Sequence, residues 1–180
     1  MHGIMSVATL PRQPRSIGPR RTIAIVASLY NEDYVNALVE ATNQELVRII
    51  PNAAVPLYRV PGAFEIPICA KFLLQNTEID ALITLGVVIR GETSHADLVA
   101  TSVTNSLQEM STKYMIPIIN EVLLLDNEEQ ARVRCLSPDY NRGIEAARAA
   151  VNICELFSKL HIAHPLGSKS KSKANIASNG

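Results

Sequence analysis

The sequence predicts an α/β domain built on an open parallel sheet of about four strands, with helices on both faces. Short runs rich in β-branched residues alternate along the chain with longer segments whose apolar residues recur at helical spacing. One of these runs, residues 81–89, is almost continuously apolar, as expected for a strand that is covered on both faces. Such alternation favours parallel strands joined by crossover helices.

The first half of the chain contains two predicted strand–helix pairs. Residues 23–27 form the first strand, and Asn31 is expected to cap a helix whose apolar positions extend over 35–49. Residues 55–60 form the second strand, which a Pro-Gly pair ends. Residues 64–74 then have a helical pattern, with a proline in the first turn, where proline is tolerated.

The second half repeats this alternation. After the strand over 81–89, residues 94–114 carry apolar side chains at helical spacing along one side. A fourth strand is predicted over 116–125, followed by a short helix over 128–134. The last helix is predicted over 144–160, where small and apolar residues form one face.

The two ends of the chain differ in composition from its middle. Residues 1–21 contain four arginines and no acid, and residues 161–180 contain three lysines and no acid. We therefore expect a flexible N-terminal arm over 1–21, a folded domain over 22–160 and a disordered basic tail over 161–180. A transit peptide is a second interpretation of the arm. The middle holds all 17 acids against ten of the 17 bases, a net charge of −7, which argues against a nucleic-acid partner.

The three cysteines, Cys69, Cys135 and Cys154, are odd in number and widely spaced. They indicate reduced thiols in a cytoplasmic protein rather than a disulfide framework or a metal site. No apolar run approaches the roughly 20 residues that a membrane-spanning helix needs. The composition thus predicts a domain with no metal and no membrane partner.

The most informative segment is GETSHAD, residues 91–97, which follows the third predicted strand and opens a helix. Free backbone N–H groups and the positive end of the helix dipole meet at such a junction, so an anion is favoured there. Glu92 and Thr93 are placed to bind a phosphate through main-chain groups and the Thr93 hydroxyl. Histidine titrates near neutral pH, so His95 is a candidate for proton transfer. An ordinary helix start, with Ser94 as its cap, is the alternative interpretation.

Further candidate residues follow the other strands. Tyr30 ends the first strand and offers a ring that stacks on a flat heterocycle or packs on the sheet edge. Glu65 lies soon after a glycine, where it accepts hydrogen bonds from ligand hydroxyls or simply interacts with a helix dipole. Arg134 suits bidentate pairing with a phosphate, although a solvated surface group is the simpler interpretation of Arg134 or Arg142 alone. Ligands of parallel sheets bind at the carboxyl ends of strands, so one shared site is expected.

Taken together, these motifs resemble the lumazine synthase family of riboflavin biosynthesis. The resemblance covers about residues 22–160, and its segments occur in the family's order. The pair PGAFEIP and VIRGETSH is its most specific part. The matching segments are IVASLYN (25–31), VPGAFEIP (60–67), LGVVIRGETSH (85–95), EQA (129–131) and NRG (141–143).

The resemblance implies a flavodoxin-like sheet and a defined reaction. In that reaction 5-amino-6-(D-ribitylamino)uracil condenses with 3,4-dihydroxy-2-butanone 4-phosphate, which gives 6,7-dimethyl-8-ribityllumazine, phosphate and water. The family uses no metal and no redox cofactor, so no cofactor is expected here. A relative that binds flavin or lumazine with weak or no catalysis is the alternative function.

The same resemblance implies a role for each matched residue. His95 would move protons. The phosphate would be bound by main-chain groups of Glu92 and Thr93 and by Arg134 of a neighbouring subunit. The uracil and ribityl groups would be bound by Tyr30, Ala63, Phe64, Glu65, Val87, Val88, Ile89, Asn120 and Arg142.

Two of these positions depart from the family pattern. Asn120 lies where the family often has a large apolar residue against the pyrimidine, and Arg142 replaces a common lysine. Both changes bear on the pocket, because an amide and a guanidinium offer hydrogen-bond geometry that the usual residues lack.

The resemblance also implies an assembly in which sites lie between subunits, so that a pentamer is the minimal active unit. Sixty-subunit shells of the family also use an N-terminal strand that pairs across subunits. Here Pro11, Pro14 and Pro19 interrupt that segment, and proline cannot donate to a strand ladder. A pentamer or decamer is therefore expected rather than a shell.

Overall fold

The computed structural model describes residues 20–164, and there the strands form one sheet in which all neighbours are parallel. The strands are β1 Ile23–Ser28, β2 Leu57–Val60, β3 Ala81–Ile89 and β4 Ile118–Leu125, in the spatial order β2-β1-β3-β4. The helices are α1 Glu32–Ile49, α2 Ile66–Asn76, α3 His95–Tyr114, α4 Glu128–Ala131 and α5 Arg142–Ala163. A 3-10 turn, Ala63–Glu65, precedes α2, and a π-helical turn, Arg132–Leu136, follows α4.

Apolar side chains of the strands alternate between two cores, one on each face of the sheet. On β1, Ile23 and Ile25 pack in the core that α1 and α5 cover, whereas Ala24 and Val26 pack in the core that α2 and α3 cover. Every residue of β1 is buried, as in a central strand of a parallel sheet. Helices therefore cover both faces, which confirms the predicted architecture.

The N-terminal boundary of the folded domain lies earlier than predicted. The sequence assigns Arg21 to a flexible arm, but this side chain is only 7% exposed. Its Nη2 donates to Ser158 Oγ at 2.9 Å, and its Nη1 lies 3.7 Å from Asp80 Oδ1. Arg21 thus links the start of the sheet to α5, and no local sequence pattern signals that long-range contact.

The last helix extends slightly past its predicted end. Helix α5 continues to Ala163 instead of ending at 160, because the next strong helix breaker in the sequence is Pro165. The rest of the predicted arm and tail, residues 1–19 and 165–180, lies outside the described residues.

Prolines shift two of the inner boundaries. Strand β2 begins at Leu57 and not at 55, since Pro56 has no N–H to donate, although its carbonyl accepts from the Ile25 N–H at 2.8 Å. The helix predicted over 64–74 begins as the 3-10 turn and becomes α-helical at Ile66, next to Pro67. The short helix predicted over 128–134 changes to a π-helical turn after Ala131.

Helices α1 and α5 approach each other most closely at Gly143. A Cβ atom built there would overlap the Leu38 carbonyl oxygen and lie 2.8 Å from Thr42 Oγ1. The Thr42 hydroxyl already lies 2.7 Å from the Leu38 oxygen and 3.1 Å from the Gly143 oxygen. The absence of a side chain therefore sets the distance between the two helices and the position at which α5 starts.

We predict that Gly143→Ala lowers the free energy of unfolding by about 1–3 kcal/mol, because the added methyl group forces α1 and α5 apart. Gly91→Ala is the matched control, since a Cβ there meets no atom within 4 Å. Urea denaturation of both variants measures the difference. Equal stability of the two variants would contradict the close-contact argument.

Candidate active site

A cavity of about 540 Å³ opens at the carboxyl ends of β1, β2 and β3. It lies where the connections from the two central strands diverge, because β1 leads through α1 to β2 on one side and β3 leads through α3 to β4 on the other. This is the usual ligand position in such sheets. We call it the strand-end cavity. It brings together nine of the predicted site residues: Tyr30, Ala63, Phe64, Glu65, Val87, Val88, Ile89, Thr93 and His95.

Two aromatic rings stand at this cavity with little protein around them. Tyr30 is 72% exposed and Phe64 is 63% exposed. Exposed rings of this size are uncommon on a stable surface unless they contact a ligand or another chain. The backbone under Tyr30 is fixed, because its N–H donates to the Pro61 carbonyl at 3.2 Å and the Leu29 N–H donates to the Val60 carbonyl at 2.8 Å.

Asn31 has a different role from the predicted helix cap. Its side chain makes no capping hydrogen bond to α1; its Nδ2 donates instead to the Val87 carbonyl at 2.8 Å. Its backbone is left-handed, with φ of 57°, a conformation that asparagine tolerates better than most residues. Asn31 thus ties the end of β1 to the end of β3 and fixes the base of the strand-end cavity, a role that sequence reasoning missed.

Glu65 presents a carboxylate to the cavity without a protein partner. Within residues 20–164 its side chain makes no hydrogen bond or ion pair. A Cβ on Gly62 would lie 3.0 Å from its Oε2, so the glycine leaves room for the carboxylate to fold back over the turn. An unpaired acceptor at a cavity wall suits a ligand that donates hydrogen bonds, such as a polyhydroxyl chain.

The loop between β3 and α3 is held by Arg90. Its guanidinium pairs with Asp97 at 2.7 Å in the first turn of α3, and with Asp126 at the end of β4. Hydrogen bonding to Arg90 lowers the pKa of Asp97, and the Asp126 pKa is lowered by Gln130 and Arg90. The loop is therefore anchored at both ends, which keeps the start of α3 in a fixed place relative to the sheet.

The amino end of α3 leaves N–H groups available to a ligand. Ser94 occupies the N-cap position of α3, as the alternative interpretation predicts, and its carbonyl accepts from the Leu98 N–H at 3.1 Å. Its side chain makes no capping hydrogen bond. Thr93 and His95 line the strand-end cavity, whereas Glu92 is exposed and does not line it.

Asn120 lies away from the strand-end cavity, on the face of β4 that α3 covers. Its Nδ2 donates to Thr104 Oγ1 at 3.2 Å, and its Oδ1 accepts from the Val122 N–H at 3.1 Å. Thr84 Oγ1 lies 3.4 Å from the same oxygen. The amide is therefore occupied by contacts within its own chain.

Arg134 and Arg142 also lie apart from the strand-end cavity. They line a second cavity, of about 360 Å³, beside the end of β4. We call it the β4 cavity; its other lining residues are Leu123, Leu124, Leu125, Gln130 and Val133. The predicted site residues of one chain thus form two separate groups.

The two arginines of the β4 cavity differ in charge compensation. Among residues 20–164, Arg134 has no hydrogen-bond or ion-pair partner. Arg142 has two, because its Nε lies 2.9 Å from Glu121 Oε2 and its Nη1 lies 2.6 Å from Glu145 Oε2. Arg134 therefore has no carboxylate in ion-pair contact, although Glu121 acts on it at longer range, whereas Arg142 is paired directly with two carboxylates.

Glu121 was not among the candidates from the sequence. It is 5% exposed in the middle of β4, and this burial raises its pKa to about 7 against the opposing effect of Arg142. An acid inside an otherwise apolar strand run was the signal that could have found it.

The described part of the chain offers neither a metal site nor a membrane-spanning helix. Between residues 20 and 164, no group of three or more His, Cys, Asp or Glu side chains is arranged to hold a metal ion. None of the helices there has the length and apolar character needed to cross a membrane.

Comparison with known proteins agrees with the motifs. Residues 20–158 match the family model described as 6,7-dimethyl-8-ribityllumazine synthase. Proteins of that name from Polaromonas sp. (strain JS666), Paraburkholderia phymatum and Burkholderia multivorans are 36%, 39% and 39% identical to this chain. The alignments span 79%, 80% and 82% of this chain and 91%, 82% and 84% of the respective relatives. The chain therefore belongs to the 6,7-dimethyl-8-ribityllumazine synthase family, as its motifs predict.

Proposed function

We propose that this chain forms its active site between two subunits, with the strand-end cavity of one facing the β4 cavity of the other. Family membership assigns the reaction, the condensation of 5-amino-6-(D-ribitylamino)uracil with 3,4-dihydroxy-2-butanone 4-phosphate in riboflavin biosynthesis. The strand-end cavity then supplies the aromatic rings, Glu65 and His95, and the β4 cavity supplies the arginines.

The observation that carries this proposal is the separation of Arg134 from the other phosphate-binding candidates. Its guanidinium has no partner within residues 20–164, and it lines a cavity that Thr93 and His95 do not reach. A phosphate held only by the backbone near Thr93 would lack a countercharge. A second copy that brings Arg134 to that position completes the charge balance.

The diamine substrate occupies the apolar part of the strand-end cavity. The rings of Tyr30 and Phe64 cover the flat pyrimidine, and Glu65 accepts hydrogen bonds from the ribityl hydroxyls. The surrounding wall and backbone are supplied by Ala63, Val87, Val88 and Ile89. Arg142 contacts this substrate from the neighbouring subunit. Asn120 lines neither cavity and its amide is occupied by Thr104 and Val122, so it is not part of the proposed contact.

The phosphate substrate lies at the amino end of α3. Main-chain N–H groups of Glu92 and Thr93 and the Thr93 hydroxyl bind the phosphate, and the helix dipole adds to the attraction. Arg134 of the neighbour closes the phosphate site with a bidentate contact. Both sets of contacts leave the carbonyl carbon of the butanone facing the amine of the diamine.

The chemistry needs few side chains. The amine attacks the ketone and forms an imine with loss of one water, phosphate is eliminated, and the ring closes with loss of a second water. His95 lies between the two substrate positions and moves protons in these steps. Holding both substrates in place supplies much of the acceleration, on the order of 7–11 kcal/mol in favourable cases.

We propose a cytoplasmic location, with no nucleic-acid or membrane partner. Cys69, Cys135 and Cys154 are all free thiols, and burial raises the pKa of Cys135 to about 12 and that of Cys154 to about 11. Unpaired, unreactive thiols fit a reducing compartment.

We predict that Arg134→Ala raises the KM for the butanone phosphate about 10- to 100-fold, because a bound dianion loses a charge-assisted contact of roughly 1.5–3 kcal/mol. Steady-state kinetics with both substrates measures this change. Arg132→Ala is the matched control, since Arg132 is on the same turn but makes only an exposed pair with Glu128 at 3.8 Å. An unchanged KM in Arg134→Ala would remove Arg134 from the site.

We predict that His95→Ala lowers kcat by about 10- to 100-fold, at the low end of general acid–base effects. Both KM values stay near those of the original protein, because binding rests on other groups. His161→Ala, on α5 beside Phe157, is the control for loss of a histidine outside the site. Turnover that does not change in His95→Ala would exclude a proton-transfer role.

We predict that the active particle is a pentamer or a decamer. Light scattering at physiological salt should give five or ten times the 19.6 kDa mass of the chain. A monomer with full activity would contradict the shared site, because one chain does not bring the two cavities together. A particle of sixty chains would instead contradict the argument from prolines in the N-terminal segment.

A further inference from the structure

Glu121 is a charged group in an apolar setting. It lies on β4 between Ile119 and Leu123 of the same face, both of which pack against the core that α1 and α5 cover. Burial of a carboxylate is unfavourable by several kcal/mol unless hydrogen bonds replace its water. Arg142 supplies them, with Nε 2.9 Å from Oε2 and Nη2 3.3 Å from Oε1.

The pairing fixes the orientation of Arg142. Its guanidinium donates to Glu121 on β4. Its Nη1 also donates, at 2.6 Å, to Oε2 of Glu145, which lies one helical turn further along α5. Three of the five guanidinium N–H groups are used in these contacts, so two remain for a ligand in the β4 cavity. Two carboxylates beside one guanidinium also cancel its positive charge locally.

Arg134 lines the same cavity, but it has no side-chain hydrogen bond or ion pair within residues 20–164 that would fix its orientation. No carboxylate of residues 20–164 forms an ion pair with it. The β4 cavity therefore offers one guanidinium without a direct ion pair and one fixed, charge-compensated donor, and these suit different ligands. A phosphate favours the guanidinium without an ion pair, whereas a neutral carbonyl or hydroxyl needs only well-aimed donors.

We propose that Glu121 is a positioning and specificity residue: it orients Arg142 and cancels its charge, so that Arg142 donates to the neutral diamine substrate and leaves the phosphate to Arg134. This inference rests on the shared site proposed above. It names the buried acid that enforces the division of the two substrates between the arginines.

The division depends on the charge of Glu121. The ionisable groups that act on it are Arg142 and Glu145 from α5 and Arg134 from the π-helical turn, and the Cys135 thiol on that turn is in turn affected by Glu121. Burial raises the Glu121 pKa to about 7. At pH 8 the carboxylate is therefore mainly ionised and holds Arg142, whereas at pH 6 it is mainly protonated and the charge-assisted contact is lost.

The test is Glu121→Gln, measured by steady-state kinetics with both substrates at pH 8 and pH 6. At pH 8 we expect the KM for the diamine to rise about tenfold, the size expected for one charge-assisted hydrogen bond. The KM for the butanone phosphate should not rise. At pH 6 the ratio of variant to original KM for the diamine should fall toward one, because the original protein has then lost the same charge. Any change in substrate ionisation with pH affects the original protein and the variant equally, so it cancels in the ratio of their KM values.

Two further variants make the result specific. Glu45→Gln removes another buried carboxylate, paired with Arg148 at 2.7 Å, that lines neither cavity, so it should leave both KM values unchanged. Arg142→Gln removes the same contact from the other side and should raise the diamine KM alone. It also keeps the proposal testable if Glu121→Gln does not fold.

The inference is overturned if Glu121→Gln leaves the diamine KM unchanged at pH 8, raises both KM values equally, or gives a ratio that does not depend on pH. A larger effect of Arg142→Gln on the phosphate substrate would also overturn it. Arg134→Ala separates this failure from failure of the shared site. If Arg134→Ala raises the phosphate KM and Glu121→Gln has no effect, only the role of Glu121 is wrong; if Arg134→Ala has no effect, the shared site itself is wrong.

Discussion

Burial of the sheet on both faces is the constraint on which the rest of this structure depends. Helices cover each face, so the strand interiors are apolar and polar groups are displaced to the carboxyl ends of the strands. There the chain leaves the sheet, backbone groups lose their ladder partners, and a cavity forms between diverging connections. Tyr30, Glu65 and His95 meet at that cavity because each follows a different strand.

Glu121 departs from this rule as a charged group inside a strand, and Arg142 compensates its charge. A carboxylate inside β4 is tolerated because Arg142, at the first position of α5, reaches back to it. The start of α5 is fixed in the same place by close packing of Gly143 against α1. Packing of two helices and placement of one guanidinium are thus parts of the same local arrangement.

Much of the site could be predicted from the sequence because it is carried by short contiguous motifs. PGAFEIP and VIRGETSH each bring a turn, a helix start and several ligand-facing residues within one segment, so local order determines their geometry. Contacts between distant segments were not predictable in this way. Asn31 bonds to Val87, and Arg21 bonds to Ser158, across 56 and 137 residues of chain. Nothing in the neighbouring residues indicates such a partner.

The sequence by itself determined the family, the strand–helix alternation and the identity of most cavity residues, because periodicity and motif spacing are local properties. Only the tertiary structure decided that these residues divide between two cavities, and that Arg134 is unpaired while Arg142 is held by Glu121 and Glu145. The physical reason is that charge compensation and burial depend on which segments meet in space. Two arginines on neighbouring segments of the chain thereby acquire different electrostatic character.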